Sequence, residues 1–303
     1  MRIVFLGTPE FTLPILEACA DQLVAVVAQP DKPVGRHAEL HAPASKKWAL
    51  ERGTPVLQPE KLKQGRLAAL LASLQPEVAV VAAYGRIIPA DALAVPRHGF
   101  LNVHASLLPE LRGAAPAQWA IARGFSQTGV TIMQIDEGLD TGDIRLQKRI
   151  AIAPDETGET LLAKLGALGA AALREALELL EQGKLPRTPQ ENAKATLAPL
   201  LTRDDGRVDW TKSAFELDAR RRGFTPWPGA WTTLNGQTLK IHAATPVKGV
   251  RGEPGTVVRE NIVGAGGETG WRLEEVQPEG RKRMPADAWL LGARLQPGTR
   301  LGT

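Results

Sequence analysis

The sequence predicts an α/β fold in which a parallel-sheet domain is followed by a small, mostly β domain. A chain of 303 residues is long enough for two domains, since domains usually hold roughly 100–200 residues. Short apolar runs alternate with helical patterns through the first 182 residues, and this alternation favours a parallel sheet with right-handed crossovers. Beyond residue 203 the pattern changes to short strands with turn signals, and five of the seven tryptophans lie there.

The first domain is built from these elements in chain order. The predicted strands cover residues 2–6, 23–29, 55–57, 77–83, the stretch from 100, 129–134 and 144–151, and the predicted helices cover 11–20, 45–52, 65–74, 115–123 and 160–181. The last helix carries leucines at helical spacing, which indicates a stripe facing the core. A turn-rich loop reaches from residue 30 to about 43, and loops of that length are usually functional or disordered.

The second domain is set off by a change in composition. Residues 183–203 are rich in Pro, Gln, Thr and Lys without hydrophobic periodicity, which predicts a linker between domains at 1–182 and 204–303. Short strands at 231–234, 238–242 and 255–260, with a hairpin turn at Asn235-Gly236, predict a small barrel of about five strands. Its tryptophans would usually fill the core, although they could also stack nucleic-acid bases.

Cysteine usage and the amino terminus bear on the compartment. Cys19 is the lone cysteine, so there is no intrachain disulfide framework, and this fits a reducing compartment. The first apolar run is too short for a signal peptide or a membrane span. We therefore expect a cytoplasmic protein without a membrane partner.

The positive charge lies in the second domain. Residues 1–202 hold 21 basic and 21 acidic side chains, whereas residues 203–303 hold 16 basic and 12 acidic ones and so carry the whole net charge of +4. Its densest clusters are Arg220-Arg221-Arg222 and Arg281-Lys282-Arg283. This distribution suits a polyanionic partner such as nucleic acid, and the alternative is an ordinary solvated basic face.

The stretch 100–109 carries the most informative pattern. Successive side chains of a strand point to opposite faces, so Asn102, His104 and Ser106 share one face. A strand buried in an α/β sheet normally reads apolar on both faces, and this polar face therefore indicates the floor of a cleft. The alternative is an edge strand with one solvated face.

An acidic loop follows the next predicted strand, and it supplies the carboxylates Asp136, Glu137, Asp140 and Asp143. If the carboxyl ends of parallel strands meet at one edge, an amide, an imidazole and a carboxylate converge there. An amide can donate to an oxyanion, a histidine can carry a proton, and a carboxylate can orient the imidazole. These are the parts of an acyl-transfer site.

The same residues leave several alternatives open. No activated nucleophile is evident, which favours direct attack by a substrate amine over an acyl-enzyme. His104 could be a structural histidine, and the acidic run could be a calcium loop, although it lacks the spacing for one. No His/Cys cluster suggests zinc and Gly-x-Gly-x-x-Gly is absent, so we expect no metal and find no dinucleotide fingerprint.

Two long motifs, residues 102–116 and 129–143, resemble the signature of the 10-formyltetrahydrofolate-dependent formyltransferases. Residues 7–11, 29–36, 83–85, 208–210 and 226–229 are similar to the branch of that family that formylates methionyl initiator tRNA. The resemblance covers almost the whole chain. It implies a Rossmann-like formyltransferase domain followed by an OB-like barrel, with 10-formyltetrahydrofolate as cosubstrate and methionyl initiator tRNA as partner.

The resemblance also implies roles for individual residues. The family's catalytic residues fall on Asn102, His104 and Asp140. Its folate-binding residues fall on Ser106, Leu107, Leu108, Pro109, Tyr84, Gly85 and Ile87. Its flexible acceptor-stem loop falls on residues 32–46, where Lys32 and Arg36 are the expected tRNA contacts beside the two basic clusters of the second domain.

The expected reaction is therefore formyl transfer to the amino group of methionyl-tRNA by a monomer. One alternative is a relative that formylates a small amine, such as an amino sugar nucleotide or glycinamide ribonucleotide. A chain ending near residue 200 would favour this small-amine alternative. Another alternative is an RNA-binding protein without catalysis, against which the set Asn102, His104 and Asp140 argues.

Overall fold

The computed structural model describes residues 1–34 and 39–302, and the chain divides into two compact units. The first comprises Met1–Pro116, Gln127–Ala151 and Leu162–Pro199, within the described residues; the second comprises Ala117–Ser126, Ile152–Leu161 and the chain from Leu200 onward. Most of the predicted linker thus counts with the first unit. The predicted boundaries, 1–182, 183–203 and 204–303, stay a prediction.

The first unit is built around one large sheet. The strands of this unit are β1 (Ile3–Gly7), β2 (Leu23–Val27), β3 (Lys32–Val34), β4 (Glu39–His41), β5 (Val56–Leu57), β6 (Val78–Ala82), β7 (Phe100–His104), β8 (Gln127–Gln134) and β9 (Ile144–Ala151). The helices of this part of the chain are α1 (Leu13–Glu17), α2 (Ala44–Glu51), α3 (Arg66–Leu74), α4 (Ala90–Leu93), α5 (Pro116–Ala122) and α6 (Gly158–Glu181). Residues 117–122 of α5 and residues 158–161 of α6 count with the second unit.

The large sheet has seven strands in the order β5-β2-β1-β6-β7-β8-β9. The five strands from β5 to β7 pair in parallel, which confirms the predicted Rossmann-like fold class. Strands β8 and β9 differ, because β7 pairs with β8 and β8 with β9 in antiparallel fashion. The nine residues between β8 and β9 are too few for a parallel crossover, which needs a dozen or more residues.

Burial explains why the parallel strands read as apolar runs. Strands β1 and β6 lie in the middle of the sheet and are buried over their whole length. Leu67 and Leu71 of α3 are buried in the same core cluster as Val4, Leu6 and Phe100. The leucine stripe predicted for α6 is also buried, as Leu165, Leu173 and Leu177 show. In the interior strand β7, Phe100, Leu101 and Val103 are likewise buried.

The second unit is the predicted small antiparallel β domain. Its further elements are α7 (Ala214–Gly223), β10 (Ala230–Leu234), β11 (Gln237–Lys248), β12 (Val257–Arg259), β13 (Ile262–Ala265), β14 (Thr269–Pro278), β15 (Met284–Pro285) and α8 (Ala286–Gly292). The strands pair in the order β10-β11-β14-β13-β12, and β15 pairs with β14. The described part of this unit thus has six strands, where about five were predicted.

The tryptophans of the second unit divide between core and surface. Trp210, Trp271 and Trp289 are buried in its core, and the rings of Trp210 and Trp271 meet edge to face at 6.0 Å. Trp231 is half-buried and donates from Nε1 to the carbonyl of Arg203. Trp227 is 56% exposed. Three of the five tryptophans are therefore core residues, as the sequence indicated. Among the five, Trp227 alone has a largely exposed side chain.

Candidate active site

The site is built on β7, whose neighbours on both sides show that it is an interior strand. Asn102 lies opposite Val81 of β6 and Met133 of β8, which excludes the edge-strand alternative. Asn102 is half-buried, and its side-chain amide forms no hydrogen bond within residues 1–34 and 39–302. The strand pairing fixes the backbone at Asn102, and the N–H groups of the side chain are available to a ligand.

His104 is buried, with only 5% of its side chain exposed, and both ring nitrogens have a partner. Nε2 lies 3.0 Å from the carbonyl oxygen of Leu111, and Nδ1 lies 3.7 Å from Oδ2 of Asp140. A carbonyl oxygen can only accept, so the neutral ring carries its proton on Nε2. Nδ1 is then the atom that can take up a proton, and the carboxylate of Asp140 stabilises the resulting charge.

Asp140 approaches His104 from a direction that was not predicted from the sequence. The acidic loop was expected at the same sheet edge as the carboxyl end of β7. Because β8 is antiparallel to β7, the loop instead begins beside Phe100, whose carbonyl oxygen accepts from Ile135 N at 2.9 Å. The loop therefore spans the length of β7, which is about 13 Å for four residue steps.

The backbone around Asp140 holds its carboxylate in place. Asp140 adopts a positive φ of 52°, and its Oδ2 accepts a hydrogen bond of 2.8 Å from the backbone N–H of Gly113. The carboxylate thus bridges the imidazole of His104 and the backbone at Gly113, within the motif at residues 102–116. One carboxylate oxygen faces both groups.

The other acidic residues of the loop bond within it, pair with an arginine or are exposed. Asp136 accepts from the hydroxyl of Thr141 and from the N–H of Gly138. Asp143 pairs with Arg187. Glu137 is exposed. In the part of the chain that the structure describes, no group of three or more His, Cys, Asp or Glu side chains is arranged to hold a metal ion.

Ser106 does not continue the polar face of β7. The strand ends at His104, and the buried Ser106 hydroxyl donates to the carbonyl of Glu110 at 2.6 Å. The expectation that Asn102, His104 and Ser106 form one face is therefore wrong for Ser106. The physical reason is that a turn begins directly after His104, and the hydroxyl of Ser106 closes this turn.

The expected folate segment after β7 is held by a residue that the sequence analysis missed. Thr131 of β8 donates from its hydroxyl to the carbonyl of Ser106 at 2.7 Å and accepts from the N–H of Leu108 at 3.1 Å. Gln147 also donates to the carbonyl of Leu108. The signal in the sequence was a threonine between Val130 and Ile132 in the apolar middle of the strand. Leu108 is buried, whereas Leu107 and Pro109 are half-buried.

The second expected folate segment follows β6. Tyr84 is buried, and burial raises the pKa of its phenol. Gly85 has a φ of +73°, and the carbonyl of Tyr84 accepts from the Gln29 side chain at 2.6 Å. Ile87 is 88% exposed, an unusual position for an isoleucine. The segment therefore presents a fixed backbone and one free apolar side chain.

The loop over residues 32–46, which is expected to contact the acceptor stem, is described at its two ends. Strands β3 and β4 pair as an antiparallel hairpin with the exposed Lys32 opposite His41. At the base, Lys46 Nζ lies 2.8 Å from Asp31, and hydrogen bonds from Gln58 and Lys46 hold the pKa of Asp31 below its usual range. Arg36, the expected tRNA contact, lies outside the described residues.

The two basic clusters of the second unit differ in what they bond. Within the unit, Arg220 donates to the carbonyl of Asp205, and both Arg221 and Arg222 pair with Asp218. In contrast, Arg281, Lys282 and Arg283 are all exposed, and within residues 1–34 and 39–302 the single ion pair among them joins Arg283 to Glu275 at 3.9 Å. The guanidinium groups of the first cluster are thus already engaged inside the domain.

Two family models match the chain, and they cover both of its parts. The model described as formyl transferase matches residues 1–177, and the model described as formyl transferase, C-terminal domain, matches residues 200–294. The chain therefore belongs to the formyltransferase family. Among the described residues, no helix has the length and apolar character needed to cross a membrane.

Relatives of known name narrow the class. A methionyl-tRNA formyltransferase from Myxococcus xanthus is 52% identical over 98% of this chain and 97% of its own length. One from Anaeromyxobacter dehalogenans is 53% identical, with full coverage of both chains. This similarity assigns the chain to the methionyl-tRNA formyltransferase branch of the family. The resemblance inferred from the motifs is thereby confirmed.

A solved structure shows the same fold at much lower identity. The N-formyltransferase from Helicobacter canadensis, in complex with folinic acid and dTDP-3-aminofucose, superposes with a TM-score of 0.68 at 17% identity. The match covers 92% of this chain and 99% of that one. At this identity, the likeness bears on the fold alone.

Proposed function

We propose that this protein transfers the formyl group of 10-formyltetrahydrofolate to the free amino group of methionyl initiator tRNA. The product is N-formylmethionyl-tRNA for translation initiation. The observation that carries the proposal is the full-length similarity to methionyl-tRNA formyltransferases together with the family's Asn, His and Asp at positions 102, 104 and 140.

The proposed mechanism assigns a separate task to each of the three side chains. As the amine attacks the formyl carbon, the Asn102 amide donates a hydrogen bond to the oxyanion that develops on the formyl oxygen. His104 takes the proton lost by the amine on Nδ1, and the charged ring then adds to the stabilisation of that oxyanion. The new bond joins the amine nitrogen to the formyl carbon, the bond from that carbon to N10 breaks, and His104 returns its proton to N10.

Asp140 supports both steps through His104. Its carboxylate lies 3.7 Å from Nδ1 and would offset the positive charge that the ring carries during the reaction. Leu111 keeps the opposite nitrogen in one orientation by accepting from Nε2. Cys19 takes no part, since its thiol is buried and burial raises its pKa to about 12. Direct attack by the substrate amine therefore needs no enzyme nucleophile.

The proposed folate site uses the two segments that flank β7. Their backbone groups and apolar side chains would hold the pterin and carry the formyl group toward Asn102. The proposed contacts are Ser106, Leu107, Leu108, Pro109, Tyr84, Gly85 and Ile87. The hydrogen bonds from Thr131 and Gln147 to the first segment support this assignment, because they hold its backbone in one conformation.

For the tRNA, we propose the loop over residues 32–46 and the basic face of the second domain. The exposed residues Lys32, Arg281, Lys282 and Arg283 have side chains available to phosphates. A tRNA contact by Arg220, Arg221 or Arg222 would use the donors left over from their bonds inside the domain. We also propose a cytoplasmic monomer with domains at 1–182 and 204–303 joined by a linker at 183–203.

The deciding experiment is a formyl-transfer assay with the purified protein and 10-formyltetrahydrofolate. Methionyl initiator tRNA is compared with uncharged tRNA, an amino sugar nucleotide and glycinamide ribonucleotide. We expect formylation of methionyl-tRNA alone. Transfer to a small amine would assign the chain to the other branch of the family, and no transfer to any acceptor would refute the proposal.

A further inference from the structure

A buried arginine lies in the backbone segment that bonds His104 and Asp140. Arg112 is 7% exposed, and no carboxylate pairs with it in the described parts of the chain. Its Nε and Nη2 instead donate to Oε1 of Gln190 at 3.1 and 2.7 Å, and Nη2 donates to Oδ1 of Asn192 at 2.8 Å. Burying a guanidinium without an anion is costly, so a position of this kind needs a reason.

Gln190 uses both ends of its side-chain amide. Its oxygen accepts from Arg112, while Nε2 donates to the backbone carbonyls of Asp140 at 2.8 Å and Gly142 at 2.7 Å. These partners fix which end of the amide is oxygen and which is nitrogen. The side chain therefore ties Arg112 to the acidic loop at the residue that faces His104.

Arg112 sits between the two backbone groups that hold the catalytic pair. The carbonyl of Leu111 accepts from His104, and the N–H of Gly113 donates to Asp140. Leu111, Gly113 and Asp140 all have positive φ values, at 60°, 119° and 52°. For Leu111 and Asp140, which are not glycines, such conformations persist only where the surroundings enforce them, and they cluster at functional sites.

The chain around Gln190 adds a second attachment. Thr196 accepts from the N–H of Leu111 through its hydroxyl at 2.9 Å and from the N–H of Arg112 through its carbonyl at 2.8 Å. Ala198 donates to the carbonyl of Arg112 at 2.7 Å. Residues 190–198, within the predicted linker, thus run alongside the segment 111–113 and bond it at several points.

We propose that Gln190, acting with Arg112, is a positioning residue that sets the geometry of His104 and Asp140. The pair locks the acidic loop to the segment that carries the partners of both side chains. The inference rests on the proposed function, because its effect is measured as formyl transfer. It gives residues 190–198 a role in the chemistry.

The test uses Gln190→Glu, which keeps the length and shape of the side chain and its contact to Arg112. The carboxylate cannot donate to the carbonyls of Asp140 and Gly142, so the loop loses both bonds. We expect kcat to fall by about 10- to 100-fold, since a displacement near 1 Å can cost about 10²-fold. Both KM values should stay within about threefold and the Tm close to that of the wild type.

Two controls separate positioning from charge and from stability. Gln182→Glu makes the same charge change at an exposed site and should leave kcat unchanged. The ¹⁵N spectrum of the His104 imidazole should show the Nε2-protonated tautomer in the wild type and a changed tautomer balance in Gln190→Glu. A purely structural role would lower the Tm without moving the histidine signals.

A second substitution, Gln190→Met, keeps the volume but removes both the donors and the acceptor, and it should lower kcat at least as much. Wild-type kcat in Gln190→Glu would overturn the inference, and so would a raised KM for tRNA at unchanged kcat. Loss of the native fold in both variants would make Gln190 a stability determinant and equally overturn it. If the wild type itself forms no formylmethionyl-tRNA, the proposed function is what fails.

Discussion

The chemistry proposed here depends on where single protons and donors lie. Nε2 of His104 is committed to Leu111, which leaves Nδ1 as the proton acceptor beside Asp140. The Asn102 amide makes no competing bond within the described chain. In the proposed mechanism, Asn102 is the neutral donor to the oxyanion and His104 is the base for the amine. Each function can be removed by its own substitution.

Replacement of Asn102 by alanine tests the oxyanion donor. Loss of one such donor typically costs roughly 10²–10³ in turnover, so kcat of Asn102→Ala should fall by about that factor while the KM for the folate changes little. Steady-state kinetics with methionyl-tRNA as acceptor provide the measurement. Near-normal turnover would remove Asn102 from the mechanism.

Removing the imidazole tests the base. His104→Ala should lower kcat by about 10²–10⁴-fold, the usual range for a general acid or base. Asp140→Asn keeps the shape and tests whether the carboxylate acts through its charge. If Asp140→Asn were fully active, the electrostatic role given to Asp140 would be wrong.

The reactivity of Cys19 follows from its burial. Desolvation raises the pKa of its thiol from 9.0 to about 12, so the folded protein should resist alkylation by iodoacetamide at pH 8, whereas the denatured protein should react. The neutral thiol favours the folded state fully below pH 9, and this contribution is lost between pH 9 and 12. Rapid alkylation of the native protein would contradict the buried placement.

At the scale of elements, the site depends on a strand and on two segments that approach it. Strand β7 supplies Asn102 and His104, the loop before β9 supplies Asp140, and the segment 111–113 joins them. Gly113 lies where this segment meets the chain near Ala198. An added Cβ there would lie 2.6 Å from the carbonyl oxygen of Ala198, and the φ of +119° disfavours any side chain.

Gly113→Ala should therefore lower both stability and turnover. The substitution should shift the segment that donates to Asp140 and reduce kcat, in addition to a lower Tm. The matched control is Gly183→Ala, which also has a positive φ, of 68°, but has no atom within 4 Å of the added Cβ. That variant should lose only about 1–2 kcal/mol in the free energy of unfolding, with kcat unchanged. Equal kinetics for the two variants would exclude a special role for the segment.

For the whole molecule, the uneven charge governs encounter with the substrate. Residues 203–303 carry the net positive charge, and Arg281, Lys282 and Arg283 form an exposed run of adjacent basic residues within it. Phosphate contacts release counterions, so binding that uses these residues weakens as salt rises. The residues proposed to contact the folate include no charged side chain, so folate binding should respond less to salt.

The KM for tRNA should rise steeply between about 50 and 200 mM salt, while the KM for the folate stays nearly constant. Arg281→Gln should lower the slope of log KM against log salt by about one and leave the Tm unchanged. Arg222→Gln should instead lower the Tm, because its guanidinium bonds Asp218 and the carbonyl of Glu156. A flat salt response would argue against tRNA as the partner of the basic face.

The amino-acid sequence by itself predicted most elements of the first unit and the Rossmann-like class, and it singled out Asn102 and His104 as polar residues on one face of a strand. Those features depend on local periodicity, which a short window of sequence contains. The family resemblance, which rests on motifs rather than on periodicity, selected Asp140 among four acids.

Only the tertiary structure decided how these groups meet. The antiparallel direction of β8, the turn that removes Ser106 from the polar face and the bonds from Gln190 to Asp140 and Gly142 all depend on pairings between residues far apart in the chain. Gln190 lies 50 residues from Asp140 in a segment without periodicity. Its role therefore depends on long-range contacts, which leave no repeating pattern in the sequence around it.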